Sequence, residues 1–119
     1  MTPTFIKSHL AAAAIAPYRI LKLDATGVSQ AAAATADIVG VSDSMGADAG
    51  KMADVIQGGW AEVEYGGNVV AGKPLTADAQ GRAIQATAGA GVRIIGFAQA
   101  GGALGDIGAV LFAPGYFSA

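Results

Sequence analysis

One sequence pattern occurs twice in the chain, and this duplication limits the possible folds more than any single residue does. The first copy spans residues 24–56 and the second spans residues 78–111. Each copy contains a turn and two strand-like segments in the same order, about fifty-five residues apart: DATG, IVGV and ADVI in the first, and DAQG, IIGF and AVL in the second. Two copies are too few for a solenoid, which needs at least three stacked units. The pattern therefore predicts one domain built from two similar β-rich halves.

From residue 17 onward, short segments rich in β-branched or alternating residues are separated by turn signals, which is typical of an all-β domain. We expect a mostly β, compact single domain over residues 17–119, similar to a β-barrel or sandwich. The predicted strands cover residues 18–23, 28–32, 37–42, 52–57, 60–65, 82–87, 92–99 and 107–112. Two alanine-rich segments, 10–16 and 31–36, have helix propensity but are short for stable helices.

The clearest strand runs from Trp60 to Tyr65. Its residues alternate, so Trp60, Glu62 and Glu64 share one face while Tyr65 lies on the other. In two other strands a glycine stands at the centre, Gly40 in the first copy and Gly96 in the second. A glycine inside a strand marks a bulge or a close approach of another backbone, so we expect matched geometry at these two positions.

Composition narrows the function classes. The chain has 119 residues, room for one domain, and 53% hydrophobic residues of which alanine is the commonest. No uninterrupted apolar run reaches the roughly eighteen residues that a membrane crossing needs, so we expect a soluble protein without a membrane partner.

The net charge of −2 gives no electrostatic case for nucleic acid. With no cysteine, stability must come from packing or assembly. A weakly charged, alanine-rich surface suits burial against partners, although alanine also reflects genome composition.

The first 23 residues carry three positive charges and no negative one, whereas the remainder carries a net charge of −5. The apolar run at 10–16 is short and mostly alanine, which argues against a signal peptide. We therefore interpret residues 1–16 as an extended N-terminal arm that docks on a partner, with a frayed terminus as the equal alternative.

Motifs for catalysis or cofactor binding fail on inspection. GNVVAGK at residues 67–73 matches the first seven positions of a phosphate-binding P-loop, but Pro74 stands where a Ser or Thr must reach Mg²⁺. His9 is the single histidine and no cysteine accompanies it, so neither a zinc site nor a Ser-His-Asp triad can be assembled. Glu62 and Glu64 read as solubilising neighbours on a wet strand face. The sequence predicts a protein that is not an enzyme and that uses no metal and no cofactor.

The segment VEYGGNVVAGKPLTADAQGRA at residues 63–83 resembles the small capsid decoration, or cement, proteins of tailed bacteriophages. The similarity continues through IIGFA at 94–98, GDI at 105–107 and a closing PG at 114–115, so that it covers residues 36–115. These motifs are glycine-and-turn patterns and contain no catalytic residue.

The resemblance implies a structural protein, often a homotrimer, that binds the outside of the assembled capsid and clamps neighbouring major capsid subunits, in a virion made in the host cytoplasm. The partners implied are the major capsid protein and further copies of the chain. We expect the arm to add a strand to a neighbouring subunit and large side chains to anchor it. The candidate partner-binding residues are Phe5, Ile6, Lys7, His9, Leu10, Tyr18, Trp60 and Tyr65.

The alternative function is a virion or cell-surface module that recognises a receptor or glycan through loops 43–50 and 100–105. These loops contain neither Trp nor Tyr, whereas sugar binding favours exposed aromatic faces.

Overall fold

The computed structural model describes residues 5–24, 27–34, 37–43, 45–87, 89 and 91–116, and ten β-strands form the regular structure in this part of the chain. In chain order they are β1 Phe5–Leu10, β2 Ile20–Asp24, β3 Gly27–Gln30, β4 Ile38–Ser42, β5 Met52–Gly58, β6 Trp60–Glu64, β7 Pro74–Ala77, β8 Ala83–Gln85, β9 Arg93–Ala98 and β10 Ile107–Tyr116. None of the described residues belongs to a helix long and apolar enough to cross a membrane.

The ten strands form two antiparallel sheets with the same strand order. The first sheet is ordered β1-β5-β4-β2-β3 and the second β6-β10-β9-β7-β8, so each strand has a counterpart five strands later in the chain. We call residues 5–58 the first half and residues 60–116 the second half. The predicted all-β, sandwich-like fold built from two similar halves is confirmed, and the duplication extends over the whole of each sheet.

The likeness of the halves reaches the loops that cap each sheet. In the first half, a parallel bridge joins Ala11 to Val28, and in the second a parallel bridge joins Tyr65 to Ala83. Antiparallel bridges likewise join two loops within each half, Ile15 to Ala47 and Val69 to Gly102. Since these contacts recur at a spacing of about fifty-five residues, any residue of one half can be assigned a counterpart in the other.

The segment that we interpreted as an extended arm lies in the first sheet instead. Residues 5–10 form its edge strand β1, which pairs with β5 along its length, from Phe5 opposite Gly58 to Leu10 opposite Met52. Beyond β1, Ala11 and Ile15 are buried. The physical reason is the duplication, because the second half also begins with an edge strand, β6, and the first half needs its own.

The structure also bears on β7 and on the alanine-rich segments. β7 lies outside the predicted strands; Pro74 begins it, a position at which a residue without an N–H is tolerated. The alanine-rich segments form no helix in the residues described: Leu10 ends β1, and residues 31–34 are irregular, while residues 35–36 lie outside the description.

The core has two clusters of buried side chains. The larger cluster draws on both sheets, with Ile20, Ile38 and Val41 from the first half beside Val63, Tyr65, Leu75, Ile95 and Val110 from the second. The smaller cluster belongs to the first half alone and contains Ala11, Ile15, Leu21, Val28, Ala53 and Val55. The two halves therefore share an apolar core and are not independently packed units.

Gly40 and Gly96 occupy matched, crowded positions, as the sequence predicted. A Cβ at Gly40 would overlap the Ile56 carbonyl oxygen and lie 2.6 Å from Cγ1 of Val55. A Cβ at Gly96 would overlap the Leu111 carbonyl oxygen. The strand register shifts beside both glycines, so each marks a bulge where a neighbouring backbone comes close.

Candidate interaction surfaces

The joint between the two halves is polar at its rim. The Arg19 guanidinium donates to the Gln80 carbonyl oxygen at 2.8 Å and lies 3.4 Å from the Glu64 carboxylate. The Glu64 backbone N–H donates to the Tyr18 carbonyl oxygen at 2.9 Å. Both Arg19 and Glu64 are partly shielded from water, so the ion pair is screened less than a fully exposed one. These contacts fix how the first half sits on the second.

Further backbone bonds cross the joint on either side of this rim. The Ile20 N–H donates to the Gly81 carbonyl oxygen at 2.7 Å, and the Arg93 N–H donates to the Ala34 carbonyl oxygen at 2.8 Å. The Arg93 guanidinium also lies 3.5 Å from the Asp37 carboxylate. Backbone bonds from β2 and β9 therefore hold the halves in one relative orientation.

A cleft of about 260 Å³ opens at the same joint, lined by Tyr18, Ser42, Asp43, Ile56 and Glu62. The Ser42 hydroxyl is already engaged, because it donates to the Ala16 carbonyl oxygen and accepts from the Arg19 N–H, each at 2.8 Å. These two hydrogen bonds connect β4, which contains Ser42, to the segment that leads into β2. Among the described residues, no group of three or more His, Asp or Glu side chains is placed to hold a metal ion.

The predicted binding residues of the N-terminal segment lie on β1. Phe5 begins the strand, and the side chains of Ile6, Lys7 and Leu10 are exposed. His9 is half-buried, and its Nε2 atom is buried without a hydrogen-bond partner in the protein. β1 is the edge of the first sheet and meets β3 only at its Leu10 end, so in the described part of the chain the backbone groups on the outer side of the preceding residues have no neighbouring strand. This edge is a surface to which a partner strand can add.

Tyr18 lies apart from β1, at the turn before β2, with a φ of 59°. This left-handed conformation is uncommon for a residue with a large side chain. Its second-half counterpart is Gly72, at φ 87°: the Tyr18 N–H donates to Asp43, and the Gly72 N–H donates to Ala98. Tyr18 lines the cleft at the joint, and its carbonyl oxygen accepts from the Glu64 N–H of the second half.

Trp60 and Tyr65 have opposite environments, as their alternation along β6 requires. Trp60 is exposed on the outer face, together with Glu62. Tyr65 is completely buried, and its hydroxyl donates to the Ala100 carbonyl oxygen at 2.7 Å. Burial raises the pKa of the Tyr65 hydroxyl, and the nearby Asp106 carboxylate raises it further. Tyr65 is thus part of the core and is not available as an anchor for a partner, which corrects our expectation for this residue.

The structure adds two residues that the sequence did not single out. Leu111 on β10 is the cross-strand partner of both Trp60 on β6 and Phe97 on β9. The three side chains lie side by side on one face of the second sheet, with exposed fractions of 41% for Trp60, 40% for Leu111 and 39% for Phe97. We call them the outer row of the second half. The signal in the sequence was an aromatic residue, Phe97, at the place where the first copy has Val41.

The loops of the alternative function carry exposed apolar side chains, Met45 in the first loop and Leu104 in the second. Each loop is held by an aspartate: the Asp43 carboxylate accepts from the N–H groups of Met45 and Gly46, and that of Asp106 accepts from Ala103. These carboxylates therefore serve loop structure, and an exposed aromatic face suited to sugar is not found in the described part of either loop.

No model of a known protein family matches the chain. No curated protein sequence matches it either. Among solved structures, the chain is similar to the head fiber gp8.5 N base in bacteriophage phi29, with a TM-score of 0.67 and 21% sequence identity, over 95% of this chain and 95% of that one. At this identity the similarity concerns the fold, and it extends over both halves.

Proposed function

We propose that this protein is a structural decoration protein of a tailed-phage head, without enzymatic activity, which binds the outer surface of the assembled capsid as a homotrimer and stabilises contacts between major capsid subunits. The observation that carries the proposal is the fold similarity to a phage head fiber base over 95% of both chains. It agrees with the sequence resemblance to capsid decoration proteins over residues 36–115, which rests on glycine-and-turn motifs and not on the fold.

The edge strand β1 is the surface that we assign to the major capsid protein. Its free backbone groups can pair with an extended segment of a capsid subunit, and Ile6 and Leu10 present apolar side chains for that segment to cover. Lys7 adds a positive charge at the same edge. Backbone pairing gives affinity, and the alternating side chains give specificity.

Stabilisation of the shell follows from mass action. A protein that binds the expanded shell but not its precursor stabilises the expanded state by its difference in affinity, about 2.7 kcal/mol per site when the free concentration is a hundred times Kd. Attachment of several copies through one trimer multiplies modest contacts. Neither step requires a pocket or a reactive group.

The test is cosedimentation of the purified protein with capsids that lack it, in expanded and unexpanded forms. Saturation of expanded capsids at a fixed ratio, with no binding to unexpanded ones, is the expected result. A double variant, Ile6→Asp with Leu10→Asp, should weaken binding by more than tenfold, because two charges would be placed where apolar contact is proposed. Both positions are exposed, so the fold should tolerate the change.

Met45→Asp is the matched control, since it puts the same charge on an exposed apolar residue of a loop. It should leave capsid binding unchanged. Capsids left bare by the parent protein would overturn the proposal. Binding to a glycan panel that Met45→Asp abolishes would instead favour recognition through the loops.

A further inference from the structure

The two halves carry the same row of side chains on one face of the sheet, covered in the first half and uncovered in the second. The row follows consecutive cross-strand partners, Ile56, Val41 and Ile20 in the first sheet and Leu111, Phe97 and Pro74 in the second. Val41 and Ile20 have no exposed surface, whereas their counterpart Phe97 is 39% exposed and Pro74 is half-buried.

The second half is what covers the first row. Val41 and Ile20 belong to the core cluster that also contains Val63, Ala77 and Ile95 of the second sheet. The backbone bond from Ile20 to Gly81 lies at the same contact. The fold thus contains one completed joint, in which the row of one half packs against a receiving face on the other.

The first half has residues equivalent to the receiving face, and in the described part of the chain they are covered only in part: Val39 packs against the smaller core cluster, whereas Leu23 is exposed. The counterpart of Ala77 is Leu23, which is 53% exposed although Ala77 itself is buried. The counterpart of Ile95 is Val39, which is half-buried, and that of Val63 is His9. Among the described residues, each chain therefore has one exposed row, on its second half, and one partly exposed receiving face centred on Leu23, on its first half.

We infer that the row of Leu111, Phe97 and Pro74 of one copy docks on the receiving face around Leu23 and Val39 of the next copy, with the exposed Trp60 beside it. The occupant is a second copy because the chain already makes this contact internally between its own halves. Such a contact is heterologous, since it joins two different surfaces, and it propagates head to tail until a ring closes. For the trimer, this inference rests on the proposed function, and the ring would contain six alternating halves.

The contact between copies is not a replica of the internal one. Pro74 has no N–H, so the bond that Ile20 makes to Gly81 has no counterpart. The side chains are also larger, with Phe97 in place of Val41 and Leu23 in place of Ala77. The docking of copies is therefore carried by apolar area, and we expect it to be reversible on dilution, unlike the internal joint.

The test is solution mass by light scattering, for the full chain and for two single variants, one on each surface. Phe97→Asp removes the row and Leu23→Asp removes the receiving face. Each should raise the concentration needed for association by more than tenfold, because a charge would be buried at the centre of the contact. Leu104→Asp, at an exposed apolar residue of a loop outside both surfaces, should associate as the parent does.

Mixing the two variants identifies the kind of contact. Phe97→Asp retains its receiving face and Leu23→Asp retains its row, so an equimolar mixture should form a complex of two chains and nothing larger. A parent that stays monomeric, or Phe97→Asp and Leu23→Asp variants that associate like the parent, would overturn the inference. So would a loss of association in only one of the two variants, because a heterologous contact needs both surfaces.

Circular dichroism and melting temperature establish that the variants are folded, and Phe97→Lys and Leu23→Lys repeat the test with the opposite charge. Capsid binding is measured separately on the same samples. Unassociated chains that still bind expanded capsids would refute the docking of copies, and the homotrimer with it, and would leave capsid binding as the proposed function. Chains that associate but do not bind capsids would support the docking of copies and refute the proposed function.

Discussion

Tyr65 and Ala11 occupy the same position in the two halves, although one is among the largest buried side chains and the other among the smallest. Each N–H is bonded across to a matched loop, Ala11 to the Lys51 carbonyl oxygen at 2.8 Å and Tyr65 to the Asp106 carbonyl oxygen at 2.7 Å. The second half makes room for the ring with glycine, because a Cβ at Gly108 would overlap the Tyr65 side chain. The counterpart of Gly108 is Ala53, so volume has been exchanged between facing positions.

This exchange predicts strong coupling between residues 65 and 108. Tyr65→Ala alone should destabilise the protein by about 3–5 kcal/mol, because it leaves a cavity. Gly108→Ala alone should cost about 1–3 kcal/mol through overpacking. The double variant restores the Ala–Ala pair of the first half and should cost less than the sum by at least about 1 kcal/mol. Urea unfolding of the four proteins measures this difference.

Gly115→Ala is the control for that cycle, since a Cβ there meets nothing within 4 Å. Combined with Tyr65→Ala, it should give additive free energies of unfolding. Additivity for Gly108→Ala as well would contradict the assigned packing of the ring.

Burial of Tyr65 also predicts a dependence of stability on alkaline pH. Its pKa in the folded state is raised above the ordinary value of 10.0, first by burial and then by Asp106. Below pH 10 the hydroxyl is protonated in both states, so its contribution is fully present. Above that pH the unfolded state loses the proton first, so the free energy of unfolding falls with rising pH until the folded pKa is reached.

Tyr65→Phe removes this titration. The variant should lose about 1 kcal/mol near neutral pH, because the Ala100 carbonyl oxygen loses its donor. Its free energy of unfolding should then fall less steeply than that of the parent above pH 10. The quantity to compare is the difference between the two curves, since every other titrating group is common to both proteins. Parallel curves would show that Tyr65 ionises as easily in the folded protein as in the unfolded chain.

Gly96, a buried residue beside the bulge between β9 and β10, should not tolerate alanine. A Cβ at Gly96 would overlap the Leu111 carbonyl oxygen, and the residue has a φ of 156°, which side chains disfavour. We expect Gly96→Ala to lower the free energy of unfolding by at least about 2 kcal/mol. Gly115→Ala, on the neighbouring strand, should change it by less than about 0.5 kcal/mol. Equal melting temperatures for the two variants would contradict the close approach.

The sequence predicted the architecture well because repeated turns and strand patterns are local signals. Gly40 and Gly96 could be paired from their place in the repeat, and the alternation from Trp60 onward gave the correct face pattern. Glu62 and Glu64 on the Trp60 face also predicted that this face is wet, and Trp60 and Glu62 are indeed exposed. The strand pattern did not show that Tyr65 is too deeply buried to anchor a partner. The missing signal was remote, in Gly102 and Gly108, which leave space for the Tyr65 ring.

Other features depended on how the halves pack. β1 was hidden because an edge strand carries polar residues such as Lys7 and His9 on the face that should look apolar. The exposure of Phe97 and Leu111 could not be inferred from their strands, since the first-half counterpart Val41 is buried. The difference arises because the second half of the chain packs over Val41, whereas Phe97 lies on the outer face of the second sheet. Which face is covered depends on how the halves pack and not on the local sequence.

The place of β1 in the first sheet predicts what truncation will do. Removing residues 1–16 deletes an entire edge strand and with it Ala11 and Ile15, which are buried in the smaller core cluster. Burial of an aliphatic side chain the size of Ile15 contributes about 1.5–3 kcal/mol, and the pairing with β5 is lost as well. We therefore expect the truncated chain to unfold at a much lower temperature, or to remain unfolded, rather than simply to lose a docking segment.

A thermal melt of the truncated chain measures this, with Ile6→Asp as the control that alters the exposed surface of β1 and keeps the strand. The control should melt within a few degrees of the parent, because exposed substitutions away from special features change stability by about 0.5 kcal/mol or less. A truncated chain that melts like the parent would mean that the first sheet closes without β1, and residues 1–16 would then act as a free arm. Loss of folding assigns the segment a structural part in the first half, so any effect of its deletion on capsid binding cannot be ascribed to lost contacts alone.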